Sequence, residues 1–207
     1  MYVPSCPRLL AAAILFSLPA AAQVIEFESG GLKYQTLTRS GLTVMFAHLP
    51  SHVREYVIIQ VAISNGAQAT HTIRPEDFTF FRQDAAVVRG ASAGAVVRQL
   101  LAKASHNDVI RLVSAYEAGL YGMQRFRSTN GYEQRRQSAM AELTSARIKA
   151  AAAASAIALV ETKLGPGQST DGAVFFDTAG KPLGAGRLVF VIGKNTFEFH
   201  TEASSSE

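Results

Sequence analysis

One cysteine occurs in the 207 residues, Cys6, and it stands ahead of an apolar run instead of just after it. That position excludes the lipid-modified cysteine with which a lipoprotein signal ends. A chain that loses its leader has no thiol left, so no disulfide and no thiolate metal site can form, and stability must come from a packed core. Also missing is a Gly-rich loop followed by Lys and Ser/Thr in P-loop order, which excludes that phosphate cradle. Metal-ligand spacing is absent too. His48 and His52 are four apart, but Pro50 between them prevents the regular helix that would align the rings. His71, His106 and His200 are isolated, so surface or loop histidines are expected, with no metal and no cofactor. Charge is sparse: the formal net value is +4, and Arg135-Arg136 is the only adjacent basic pair. A nucleic-acid footprint needs basic residues clustered on one surface, and none is expected here.

What is present begins with MYVPSCPRLLAAAILFSLPAAAQ, where Arg8 precedes the run Leu9 to Leu18 and Ala20-Ala21-Ala22 follow. This is the three-part layout of a secretory signal peptide, residues 1–22, with cleavage after Ala22. Its apolar run is shorter than the ~20 residues of a spanning helix, so no stable membrane span is expected after cleavage. Export to the periplasm or the exterior follows.

Beyond the leader, period-2 alternation dominates. Val24 to Phe27 and Lys33 to Arg39 flank Gly30-Gly31, and Leu42, Val44 and Phe46 alternate with Thr43, Met45 and Ala47. Pro50, which has no N–H to give a ladder, is expected to close that strand. The organising stretch is Glu55 to Asn65, with Val57, Ile59, Val61 and Ile63 on one face and Tyr56, Ile58, Gln60, Ala62 and Ser64 on the other. Asn65-Gly66 stops it with a turn. HTIRPEDFTFFRQD and Val87-Val88-Arg89 continue the β pattern.

From Ser92 the period becomes 3.6. Val96, Val97, Leu100, Leu101 and Ala104 share one helical face. Ser105 with Asp108 caps a second helix, striped by Val109, Leu112, Val113, Tyr116 and Leu120 and ending near Gly122. A third helix is expected from Gly131 to about Ala158, lined mostly by alanine. Strands return near Leu159 to Leu164, Ala173 to Phe176, Leu188 to Ile192 and Thr196 to His200, ahead of a loose tail, 201–207.

Each early strand has an apolar face that only a partner layer can bury. The expectation is therefore one mainly β domain, 23–200, α+β overall: an antiparallel sandwich of seven or eight strands interrupted by a three-helix insertion, 92–158. The stretches VIIQVAISNGA, PEDFTFFRQD and LGPGQSTDGAVFFD resemble the immunoglobulin-like domain of unknown function common in exported bacterial proteins. Asn65, Phe78, Asp84, Pro166, Gly167, Ser169, Gly172, Val174 and Phe175 occupy the matching positions. The resemblance covers the two β portions and implies an immunoglobulin-like β-sandwich, with no activity attached.

Three readings of function arise. Gly90-Ala91-Ser92-Ala93-Gly94 matches G-x-S-x-G between a strand and a helix, and Asp171 or Asp177 and then His200 follow in hydrolase order. That elbow belongs to a parallel sheet with an oxyanion segment; antiparallel strands, consecutive helices and the lack of an HGG motif favour Ser92 as an ordinary helix cap. A membrane-active reading would use AAAAASAIALV, whose eleven residues are too few to cross ~30 Å of hydrocarbon. The favoured reading is a non-catalytic protein-binding or structural module, engaging an envelope protein or another copy of itself through the helical segment. Tyr121, Arg125, Phe126, Arg127 and Tyr132, in YGMQRFRSTNGY, combine residue types enriched at interface hot spots.

Overall fold

The computed structural model describes residues 23–122 and 145–202. The elements of the first half are β1 (Ile25–Ser29), β2 (Leu32–Arg39), β3 (Leu42–Val53), β4 (Tyr56–Asn65), β5 (His71–Ile73), β6 (Phe78–Arg82) and β7 (Val87–Arg89), then helices α1 (Ala93–Lys103) and α2 (His106–Gly122). After residue 144 come α3 (Ala146–Ile157), β8 (Thr162–Leu164), β9 (Ser169–Asp177), β10 (Gly186–Ile192) and β11 (Asn195–Thr201). The described residues form a mainly β structure of antiparallel sheets with three α-helices.

Hydrophobic alternation makes β1 to β4 a meander, and β9 completes its sheet in the order β1-β2-β3-β4-β9. A second sheet runs β11-β10-β6-β7, and β5 pairs with β8. Late strands thus join early ones in every sheet. β4 is hydrogen-bonded on both sides, to β3 and to β9.

Two cores result, one on each face of the five-stranded sheet. Toward the four-stranded sheet, Val44, Phe46, Ile59, Ile63 and Phe176 meet Phe78, Phe80, Phe190, Phe197 and Phe199. Phe78 stacks on Phe190 at 3.8 Å, and Phe46 meets Phe199 edge-on at 5.0 Å across the interface. Toward the helices, Tyr34, Ala47, Ile58 and Phe175 pack with Val96, Leu100, Leu112, Tyr116, Ala150 and Ala154. β4 is therefore the spine of a middle layer, buried on both faces, which explains its nearly continuous apolar run YVIIQVAI. Burying each such large side chain contributes about 1.5–3 kcal/mol before entropy is counted.

The helical layer is packed through small residues. α3 buries Ala150, Ala151, Ala153, Ala154, Ala156 and Ile157, so it can lie close to α1 and to the sheet. Just beyond it, Ala158 pairs in parallel with Ala173 of β9. This approach needs glycine at 172, where a Cβ would stand 2.6 Å from Leu159 Cα.

Several expectations are corrected. Pro50 does not close β3: the strand continues to Val53, because the missing N–H falls in a ladder irregularity between His48 and His52. HTIRPEDFTFFRQD is two strands separated by a 3-10 turn at Pro75–Asp77, since proline at its start favours the turn. A single helix from 131 to 158 is not formed, as Ser145 is extended (φ −83°, ψ 130°) and α3 starts after it. The strands number eleven among the described residues, not seven or eight.

Candidate functional site

The helix-facing side of the five-stranded sheet carries a buried polar group. Ladder register sets Tyr34, Ala47, Gln60 and Ala173 in one row across four strands, and Thr36, Met45, Ala62 and Asp171 in the next. Tyr116 of α2 reaches down and donates its hydroxyl to Asp171 Oδ2 at 2.5 Å, with both residues buried. Gln60 is 1% exposed, and neither atom of its carboxamide has a hydrogen-bond partner among the described residues. Its row neighbours Ala47 and Ala173 are too short to offer one. Gln60 and Asp171 are diagonal neighbours, about 7–8 Å apart by sheet geometry. The group offers a carboxylate, a phenol and a carboxamide, which recognise hydrogen-bond donors and acceptors. Sequence patterning placed Gln60 on this face of β4, but only the helices above it make that face an interior.

A second constellation joins the β3–β4 turn to the helices. Arg54, at φ +57°, ion-pairs with Asp108 at 3.1 Å and donates to the Lys103 carbonyl. Asp108 Oδ2 also accepts the Ser105 N–H at 2.7 Å and the Ser105 hydroxyl at 2.8 Å, as the capping signal predicts. Gln99 donates to Glu55 at 2.9 Å and accepts from Tyr56. Burial, with Asp177 and Glu55 adding repulsion, raises the Tyr56 hydroxyl pKa above its ordinary value.

The candidate nucleophile and its partners are not brought together. Ser92 caps α1, its Oγ accepting the Ala95 N–H at 3.3 Å. Asp171 is held by Tyr116, and Asp177 Oδ1 accepts the Ala179 N–H at 3.1 Å. His200 lies on β11, three strands from the β7 edge that leads to Ser92, a separation of roughly 14 Å at about 4.8 Å per strand. It faces outward, 3.6 Å from Glu198. On that outer surface Arg187 bonds Glu198 at 3.1 Å and lies over the Phe81 ring at 5.0 Å.

The β3 irregularity leaves the two histidines on one face of the strand. His48 is opposite Ile59 and His52 opposite Val57, so β3 carries two extra residues there, an even number, and both histidines keep the face shared with the four-stranded sheet. Burial lowers the His48 pKa to about 4, keeping it neutral at physiological pH. Among the described residues no three His, Cys, Asp or Glu side chains are grouped to hold a metal ion. No described helix is long and apolar enough to cross a membrane.

Of the interface candidates, Tyr121 belongs to the last turn of α2, and Arg125, Phe126, Arg127 and Tyr132 lie outside the described residues. No protein-family model, curated protein or solved structure matches the chain.

Proposed function

We propose that the chain is an exported, non-catalytic cell-envelope module with an immunoglobulin-like sandwich, and that it binds a protein partner through its helical layer. Support for the fold reading is the pair of antiparallel sheets sharing one aromatic core. The β1 to β4 meander departs from the immunoglobulin pattern, in which strands pass between the sheets earlier. Support for export is the leader-like sequence 1–22.

The observation that carries the binding reading is that, among the described side chains, α1, α2 and α3 each turn a large aliphatic residue to solvent: Leu101 at 43% exposure, Ile110 at 52% and Ile148 at 44%. All three belong to a layer whose other side is fully committed to the sheet. Apolar residues exposed singly are ordinary on a protein surface; what supports the reading is that these three fall in one layer, on the three helices. The test is the triple variant Leu101→Ser, Ile110→Ser, Ile148→Ser beside a control carrying Val87→Ser and Val191→Ser in the other sheet. Capture from envelope extract by the wild type and the control, lost in the triple variant at unchanged thermal midpoint, supports the reading. Equal capture by all three overturns it.

A further inference from the structure

A different surface suggests a specific kind of ligand. β1 is the outermost strand of its sheet and pairs on one side only, from Ile25 opposite Thr36 to Ser29 opposite Leu32. Among the described residues nothing pairs with its other edge. Ile25, Glu26, Phe27 and Glu28 are all exposed, with Ile25 at 61% and Phe27 at 41%. The period-2 geometry puts Ile25 and Phe27 on one face and the two glutamates on the other.

The other edges are blunted. β7 has three residues; β11 turns Thr196, Glu198 and His200 outward; the free side of β9 meets Ala158, whose successor Leu159 donates its N–H to the Ala173 carbonyl at 2.8 Å. β1 has no proline, lysine or bulge; its only guard is the charge of Glu26 and Glu28, which opposes acidic partners and leaves the edge open to basic ones. It is also held in place. Phe27 stacks on Tyr34 at 5.2 Å, and Tyr34 is 1% exposed. Glu26 accepts from Gln35 Nε2 at 2.5 Å, and the same nitrogen donates to the His200 carbonyl at 2.9 Å, tying the strand to the second sheet.

We propose that the outer edge of β1 is a strand-addition site for an extended peptide segment of another protein that alternates apolar with basic side chains. Main-chain hydrogen bonds to the open edge supply attachment, and side-chain alternation supplies selection. Lysine or arginine falls opposite Glu26 and Glu28 on one face, and apolar residues cover Ile25 and Phe27 on the other. Self-pairing is opposed by the same charges. An antiparallel pair centred on Phe27 would set Glu26 against Glu28 twice, and like charges directly opposite are destabilising.

The test uses the full chain and the fluorescent peptide Arg-Phe-Arg-Ile-Arg, followed by anisotropy. Saturable binding is expected, weakened at least tenfold by Glu26→Lys with Glu28→Lys, by N-methylation of alternate peptide nitrogens, and by rearrangement to Arg-Arg-Arg-Phe-Ile. Both glutamates are exposed, and a thermal midpoint within a few degrees of wild type confirms that the variant is folded. The triple helix-face variant should bind the peptide as the wild type does, which separates this site from the helical surface. Absence of binding, equal binding of the rearranged peptide, or indifference to the charge reversal would overturn the proposal. So would a β1-mediated dimer that the peptide fails to displace.

Discussion

Replacing Gln60 by methionine removes a buried carboxamide while keeping the side chain's length and unbranched shape. In the native chain that amide sits between Ala47 and Ala173, 1% exposed and without a hydrogen-bond partner among the described residues. An unpaired buried amide costs about 1–3 kcal/mol on scales drawn from protein variants. Methionine offers the same reach with no polar group to desolvate and fits irregular gaps. Gln60→Met should therefore stabilise the fold by about 1–3 kcal/mol, in a site where most substitutions destabilise. Urea unfolding followed by far-ultraviolet circular dichroism measures this, as a higher midpoint at unchanged slope. For a chain of this size each kcal/mol also moves Tm by about 2–4 °C. A loss of 1 kcal/mol or more at unchanged slope refutes the reasoning, because it means that the amide is satisfied in solution. If the gain appears with envelope capture intact, Gln60 has no part in binding. If it appears with capture lost, the unpaired amide is kept for recognition at a cost in stability.

Three further outcomes are expected. Asn65→Ala should cost about 2–4 kcal/mol in the same urea assay, since three hydrogen bonds disappear at a fully buried position, to the Ala69 carbonyl at 2.8 Å, the Leu164 carbonyl at 2.9 Å and from the Ala67 N–H at 3.0 Å. Ser92→Ala should cost about 1 kcal/mol through loss of the α1 cap, and a fluorophosphonate probe should label neither wild type nor variant; labelling that vanishes with Ser92 would restore the hydrolase reading. Acid should weaken the fold through His48, whose folded pKa of about 4 lies below the ordinary 6.5. As pH falls from 6.5 the unfolded chain takes a proton that the folded one refuses; the loss grows to pH 4 and then saturates near 3 kcal/mol at about 1.4 kcal/mol per pH unit. His48→Phe should flatten that part of the stability profile, and an unchanged slope would refute the assignment.

The strands and the first two helices were legible because their periods are local properties of the chain. β10 and β11 carry clean alternation, β4 shows its strand character in a β-branched apolar run of strand length, and Ser92 and Ser105 sit where helix starts need a side-chain oxygen or its partner carboxylate. The β3–β4 turn was not legible as a hairpin. Arg54-Glu55 contains none of the usual turn residues, and Arg54 holds its left-handed backbone where Asp108 and the Lys103 carbonyl receive its guanidinium. That compensation comes from residues some fifty positions away. The Tyr116 to Asp171 contact was hidden for the same reason: Asp171 reads as part of a turn-rich GQSTDG segment until β9 is seen to start at Ser169. The opposition of His48 to Ile59 and of His52 to Val57 depends on an irregularity that places two extra residues on β3, which shifts its register against β4 while keeping strand parity and leaves no local pattern to read.

The two-faced sheet determines how any function of the helices can be tested. Tyr34, Ile58 and Phe175 are buried against helical side chains, so a chain without the helices would expose this whole face of the sheet. A failed partner interaction in such a deletion would report unfolding as readily as a lost surface. The coupling is tight at the β3–β4 turn as well, where Arg54, Glu55 and Tyr56 engage Asp108, Lys103 and Gln99 around the end of α1. Leu101 lies in that same last turn, two residues before Lys103. A partner seated on Leu101 would therefore bear on an element fastened to the middle of the five-stranded sheet, where little conformational entropy remains to be lost on binding. Substitutions confined to exposed aliphatic side chains are for this reason the decisive perturbation, since they alter the surface and leave the shared core untouched.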